Sequence, residues 1–67
     1  MSVRINRVAL VAEMARKDMT CKKLVELSGV SRVTVTAARS GKSVSQATAE
    51  KLAAGLGVDP AELIEEA

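Results

Sequence analysis

The stretch from Thr20 to Ala38 constrains this chain more than any other: Leu24, then Gly29, Val30 and Ser31, then Thr34, Val35 and Ala38. That spacing predicts two short helices joined by one tight glycine turn. Thr20 suits the cap of the first helix and Ser31 that of the second, because a Ser or Thr oxygen accepts bonds from the N–H groups that the first turn of a helix leaves unpaired. Gly29 ends the first of them. A left-handed backbone is usual just past a helix end and costs a residue with a Cβ about 1 kcal/mol or more, so a glycine followed by an apolar Val30 and a capping Ser31 forces a sharp corner. Leu24, Val30, Val35 and Ala38 then face inward together. The pattern is that of a helix-turn-helix.

The rest of the chain reads as further helices. Asn6 to Lys17 predicts a first helix, with Leu10 and Met14 one turn apart and Val8, Val11 and Ala15 widening its apolar face. The motif's own helices follow at Cys21 to Ser28 and from Ser31 to near Ser40-Gly41. A fourth starts near Ser45 and carries Ala49, Leu52, Ala53 and Leu56 at helical spacing before Gly57, with Gly55 weakening it. Asp59-Pro60-Ala61-Glu62 supplies a cap, a proline at the first helical position and an acid three residues after the cap, so a short fifth helix carrying Leu63 and Ile64 is expected. Nothing reads as a strand, and no linker, repeat or low-complexity segment divides the chain. The expectation is one all-α domain of five helices over residues 1–67.

With 67 residues, such a chain buries only about 60% of its unfolded surface, so contacts with a partner or a second copy would help it considerably. Aromatic residues are absent, and the core must be built from Val, Leu, Ile, Met and Ala. One cysteine excludes an internal disulfide, and one Cys with no His leaves no zinc set. A reduced, intracellular setting is expected. The start Met-Ser-Val-Arg-Ile-Asn lacks the apolar core of a signal peptide, and no apolar run approaches the ~20 residues that cross a bilayer, so a soluble protein without a membrane role is expected.

A net charge of +2 understates the electrostatics. All ten Lys and Arg lie within residues 1–58 against four acids there, a surplus of +6, whereas Asp59, Glu62, Glu65 and Glu66 put −4 in the last nine residues. A charged face is often mere solvation, but joined to a helix-turn-helix it points to a polyanion.

Thr20, Leu24, Gly29-Val30-Ser31, Thr34-Val35-Thr36 and Gly41-Lys42, followed by Thr48, Leu52-Ala53 and Leu56-Gly57-Val58, resemble the phage-repressor-like (Cro/repressor, XRE-type) helix-turn-helix family. The resemblance runs in register from about Leu10 to Leu63. It implies a lambda-repressor-like fold and a sequence-specific transcriptional regulator of bacterial or phage origin, expected to repress, binding a near-palindromic operator in double-stranded DNA as a homodimer. Such a protein works in the cytoplasm, on the nucleoid when bound. The family often has Gln where this chain has Cys21, a small Ala at Val25, a Glu near Arg39 and a long apolar residue at Ser28. The missing Gln removes a phosphate contact that it often supplies, and Val25 implies an altered crossing of the two helices.

Function then rests on the outer face of the motif's second helix. At about 100° per residue, Val35 and Ala38 point at the core, so Val33, Thr36, Ala37 and Ser40 point away, with Arg32 projecting from the first turn. Arg32, Val33, Thr36 and Ala37 are the expected base contacts: Arg pairs bidentately with guanine, and methyls of Val, Thr and Ala pack on the thymine C5-methyl. Val33 and Ala37 have the alternative of being ordinary surface or interface residues. Expected phosphate contacts are Thr20, Lys22, Lys23, Thr34, Arg39, Lys42 and Ser43. Lys22 and Lys23 sit in a first helical turn, where the dipole disfavours each cation by about 0.3–1 kcal/mol, and a nearby phosphate would compensate. By resemblance, Lys42 and Ser43 lie in a loop that often touches the DNA backbone. Arg39 has a structural alternative, since a cation in a last helical turn is stabilising without any ligand. Leu63 and Ile64 are expected to serve the dimer, one packing inward and the other pairing across the two-fold axis.

Catalysis is poorly supported. Hydrolytic and acid/base enzymes need a tuned His, Cys or carboxylate pair in a pocket, and here there are only Cys21 and scattered acids. No enzyme, cofactor or metal is expected. Gly55 and Gly57 lack the Lys and Ser/Thr of a phosphate-cradling loop. Cys21, at a helix N-terminus beside two lysines, reads either as a small residue of the capping turn or as a redox sensor. A different class of function stays open: a protein-interaction module, such as an antitoxin or a modulator of a larger repressor, using the motif's weakly polar face to bind protein.

Overall fold

The computed structural model describes residues 2–65. Within them the chain runs β1 (Ser2–Arg4), α1 (Arg7–Arg16), α2 (Cys21–Ser28), α3 (Arg32–Arg39), β2 (Ser43–Ser45), α4 (Gln46–Leu56) and a single 3-10 turn, Pro60–Glu62. Each start has a chemical reason. Asn6, Thr20, Ser31 and Ser45 sit in extended conformation, and each side chain accepts from the backbone N–H three residues on. Gly29 closes α2 at φ +74°, the left-handed conformation that turns the chain into the extended Ser31 cap of α3. The helix-turn-helix is present with the caps its sequence predicts.

α2 packs against both α3 and α4, and α1 packs against α3. The core between them is aliphatic: Leu10, Leu24, Val35, Ala49, Leu52 and Ala53 are fully buried, with Met14, Val30, Ala38 and Leu56 beside them. The face expected for α1 is only half right. Leu10 and Met14 are buried, but Val8 is 70% exposed, and Val11 and Ala15 are also exposed. At about 100° per residue, positions 8, 11 and 15 cluster on the side of the helix away from 10 and 14, and the residue that completes the buried stripe is Glu13.

The absence of strands is corrected by a small antiparallel sheet. Ser2 pairs with Ser45, Val3 with Val44 and Arg4 with Ser43. Two three-residue segments of polar-apolar-polar pattern, separated by three helices, carry too little alternation to be told from loop. Val44 is buried and Val3 packs against the core, while the serines and Arg4 face solvent.

The fifth helix is also corrected, to one turn. Asp59 Oδ1 accepts from Ala61 N at 2.9 Å, so the expected cap and the proline at the first position are present. The turn does not propagate because the chain beyond it pairs with the N-terminal segment. Asn6 N donates to Leu63 O and Glu65 N to Arg4 O, each at 2.8 Å, with Ile5 and Ile64 bridged between them. Four backbone groups thereby find partners that an isolated short helix, marginal below about 12–15 residues, could not outweigh. Of the expected dimer pair, Leu63 is the residue that packs inward. It is 0% exposed and offers no surface to a second copy, whereas Ile64 is half-buried.

Two charged residues belong to this scaffold. Lys17 Nζ donates to Leu56 O, placing a cation on the C-terminal carbonyls of α4, where the helix dipole favours it. Glu13 is only 8% exposed, with Oε2 3.5 Å from Arg16 Nη1 and Oε1 without a partner. No helix among the described residues is long and apolar enough to cross a membrane.

Candidate nucleic-acid interface

α3 is fixed from both ends. At its start Ser31 Oγ accepts from Thr34 N at 3.3 Å and donates to Thr34 Oγ1 at 2.9 Å. Past its end the backbone N–H groups of Ser40, Gly41 and Lys42 close on the last-turn carbonyls at 2.9–3.2 Å. Val35 and Ala38 anchor the inner face, both at 0% exposure. A helix held this way presents its other side with little freedom.

That other side carries two parallel rows, since residues four apart stack along one line of a helix. Arg32, Thr36 and Ser40 form a polar row, and Val33 and Ala37 an apolar one. With Lys42 from the following loop they line one shallow, open depression. Val33 stands out: it is 80% exposed, against 0% for Val35 two residues on. The structure therefore brings together the four expected base contacts, Arg32, Val33, Thr36 and Ala37, and places one expected phosphate contact, Lys42, at their edge.

The other expected phosphate contacts divide into groups. Thr20, Lys22 and Lys23 are exposed around the start of α2, with Thr20 Oγ1 accepting from Lys23 N at 3.1 Å. Arg39 joins this group, because its Nη1 donates to Cys21 Sγ and so ties the end of α3 to the first turn of α2. Cys21 is half-buried and its sulfur faces a cation. Thr34 is half-buried, its oxygen engaged by the Ser31 cap. Ser43 lies on β2, exposed, opposite Arg4. Leu63 and Ile64 belong to none of these groups.

Two cations outside the expected set lie at the same edge as Lys42. The Arg7 side chain runs alongside Gly41, close enough that a Cβ added there would sit 3.5 Å from Arg7 Cδ. Arg4 shares the exposed face of the sheet with Ser43, and Arg4, Arg7, Ser40 and Gly41 line a second depression next to the first, with Ser40 in both and the acidic Glu65 also in its lining. More than thirty residues separate Arg4 and Arg7 from Lys42 in sequence. The basic surplus of the chain was the only sequence signal for them, since the strand pairing that brings them here was not legible.

The depression is open and apolar-floored, with no His and no carboxylate in it. No group of three His, Cys, Asp or Glu among the described residues could hold a metal ion. What the arrangement offers is a rigid convex helix with one guanidinium, a methyl row and cations on both flanks. That suits a groove bordered by phosphates.

Comparison with known proteins bears on the same elements. Residues 10–65 match the family model described as a Cro/C1-type HTH DNA-binding domain. Neither the curated proteins nor the solved structures gave a significant match. The match takes in α2, the Gly29 turn, α3, β2 and α4 entirely and α1 from Leu10 onward, leaving Arg4 and Arg7 outside it. On that match, and on a structure whose helix-turn-helix occupies its centre, the chain belongs to the Cro/C1-type helix-turn-helix DNA-binding family.

Proposed function

We propose that this protein is a sequence-specific transcriptional regulator, acting as a repressor in the cytoplasm of a bacterium or in the service of a phage. It lays α3 in the major groove of double-stranded DNA. The observation that carries this is the contrast across α3: Val35 and Ala38 wholly buried behind it, Arg32 and Val33 free in front, and exposed cations on either side. Arg32, Val33, Thr36 and Ala37 read base edges. Thr20, Lys22, Lys23 and Arg39 hold phosphates on one flank, Lys42 and Ser43 on the other, with Arg4 and Arg7 added to the second group. Thr34 contributes mainly by fixing the start of α3. The protein works as one domain, without catalysis, cofactor or metal, and as a homodimer that sets two copies of α3 on one face of the duplex.

A second reading has its own observation. Val33 at 80% exposure, with Ala37 one turn on, leaves an apolar row on the outer face of the helix-turn-helix, a surface that another protein could cover. Selection of bound sequences from a random duplex pool, followed by a gel shift with DNA upstream of the gene, separates the two. Enrichment of a motif with two related half-sites supports the regulator. Failure to shift any DNA alone, with co-purification of a neighbouring gene product, supports the interaction module.

A further inference from the structure

Resting on the DNA-binding reading above, we propose that α3 reads C5-methyl groups of pyrimidines, thymine and 5-methylcytosine alike, beside a guanine held by Arg32. The chemistry of the exposed face narrows the choice. Adenine is read in the major groove by a carboxamide bonded to N6 and N7, and the cytosine amino group by a carboxylate. The surface made by Arg32, Val33, Thr36, Ala37, Ser40 and Lys42 contains neither group. The Ser40 hydroxyl is turned back onto Thr36 O at 3.2 Å and is removed from base reading. Arg32 remains as the guanidinium of the helix start, suited to guanine O6 and N7.

Next to it stands the apolar row. Val33 projects its two methyls at 80% exposure from the second position of α3, and Ala37 continues the row one turn later. The apolar group that B-DNA presents in the major groove is the pyrimidine C5-methyl, which thymine always carries and cytosine carries when methylated. Val33 therefore matches a methyl and not a particular base. This face carries no carboxylate to accept from a cytosine amino group, and the Thr36 hydroxyl, which can bond either an adenine or a cytosine edge, does not distinguish cytosine from its methylated form. Methylation of a cytosine that faces Val33 would accordingly strengthen binding.

The test uses the full chain and the best duplex from a random-pool selection. Each thymine is replaced in turn by deoxyuridine, which removes only the C5-methyl, and cytosine and 5-methylcytosine are compared at each sensitive position. Deoxyuridine should weaken binding about fourfold at each contacted thymine, the equivalent of the ~0.8 kcal/mol for one buried carbon. 5-Methylcytosine should bind tighter than cytosine there by a similar factor. Val33→Ala, at an exposed site where the fold is indifferent, should bind the thymine duplex about as weakly as the wild type binds its deoxyuridine counterpart, and should lose no more when that thymine is replaced. A motif that is selected and bound, yet tolerates deoxyuridine everywhere, overturns methyl reading and leaves DNA binding standing. Absence of any enriched or shifted duplex overturns both.

Discussion

Gly55 of α4 lies against Ser28 of α2 so closely that a Cβ on Gly55 would come within 3.0 Å of the Ser28 Cβ and 3.2 Å of Leu24 Cδ1. The two helices cross there on their smallest residues. Ser28 also makes the corner, since its Oγ donates to Leu24 O at 2.6 Å and accepts from Val30 N at 3.2 Å. A long apolar residue at position 28 would have nowhere to go. Small side chains on both helices let α2 sit deep on α4 and so set the platform from which α3 projects.

Gly55→Ala is therefore expected to destabilise, against helix propensity. Replacing a mid-helix glycine by alanine gains about 1 kcal/mol where space is free. Here the added methyl meets backbone and packed side chains, and overpacking of that kind costs about 1–3 kcal/mol. Thermal unfolding should show Tm falling by a few degrees. A rise of about 4–8 °C, the propensity gain expressed in a domain of this size, would show that the crossing relaxes freely.

Glu13 is a second place where the core carries a cost. Its Oε1 is buried without a partner, and Oε2 has only Arg16 at 3.5 Å, whose side chain is 72% exposed. A buried polar atom left unpaired costs about 1–3 kcal/mol. Glu13→Leu should accordingly raise stability by a similar amount, read as a higher urea midpoint at unchanged slope. A lower midpoint would mean that the pair with Arg16 outweighs the unpaired oxygen.

The four α-helices were legible because each begins at a side-chain cap and α2 and α4 end at a left-handed glycine, chemistry confined to a few neighbouring residues. The outward face of α3 was legible for a related reason: Val35 and Ala38 fix its rotation. Long-range pairing was not. Ser2–Arg4 and Ser43–Ser45 are strands only because they meet, and the turn at Pro60–Glu62 stops short because Ile64 meets Ile5. The second cationic flank went unread with them, as Arg4 and Arg7 reach the Gly41–Ser43 loop through that pairing. Glu13 shows the limit of apolar periodicity, which pointed to Val8, Val11 and Ala15 for a face that the fold left in water.

If the proposed homodimer forms through the C-terminal segment, enclosure of Leu63 leaves Ile64 and the strand-like segment around it to make the contact. Ile64→Asp should raise the dimer dissociation constant at least tenfold in sedimentation equilibrium, with helical circular dichroism retained. Operators should then show half-sites about 34 Å apart or a multiple of it, so that both α3 helices meet one face of the duplex. Wild-type protein that stays monomeric at high micromolar concentration, or a variant that dimerises unchanged, would place the two-fold contact elsewhere.

Base reading and phosphate holding separate by their response to sequence and to salt. Arg32 opens α3, while Arg7 and Lys42 converge on one flank and Lys22 lies on the other, at the start of α2. If Arg32 pairs with a guanine, Arg32→Ala should cost about 1–3 kcal/mol on the selected site and relax preference at one base pair, with much less effect on random duplex. Lys22→Ala, Lys42→Ala and Arg7→Ala should weaken all sequences alike. Each should also reduce the slope of log affinity against log salt by roughly one unit, because one counterion fewer is released on binding. Arg7 is the sharpest of the three, since only its folded position beside Gly41 assigns it to the DNA. An unchanged salt slope for Arg7→Ala would return it to ordinary surface, and equal losses on specific and random DNA for Arg32→Ala would move Arg32 from the bases to the backbone.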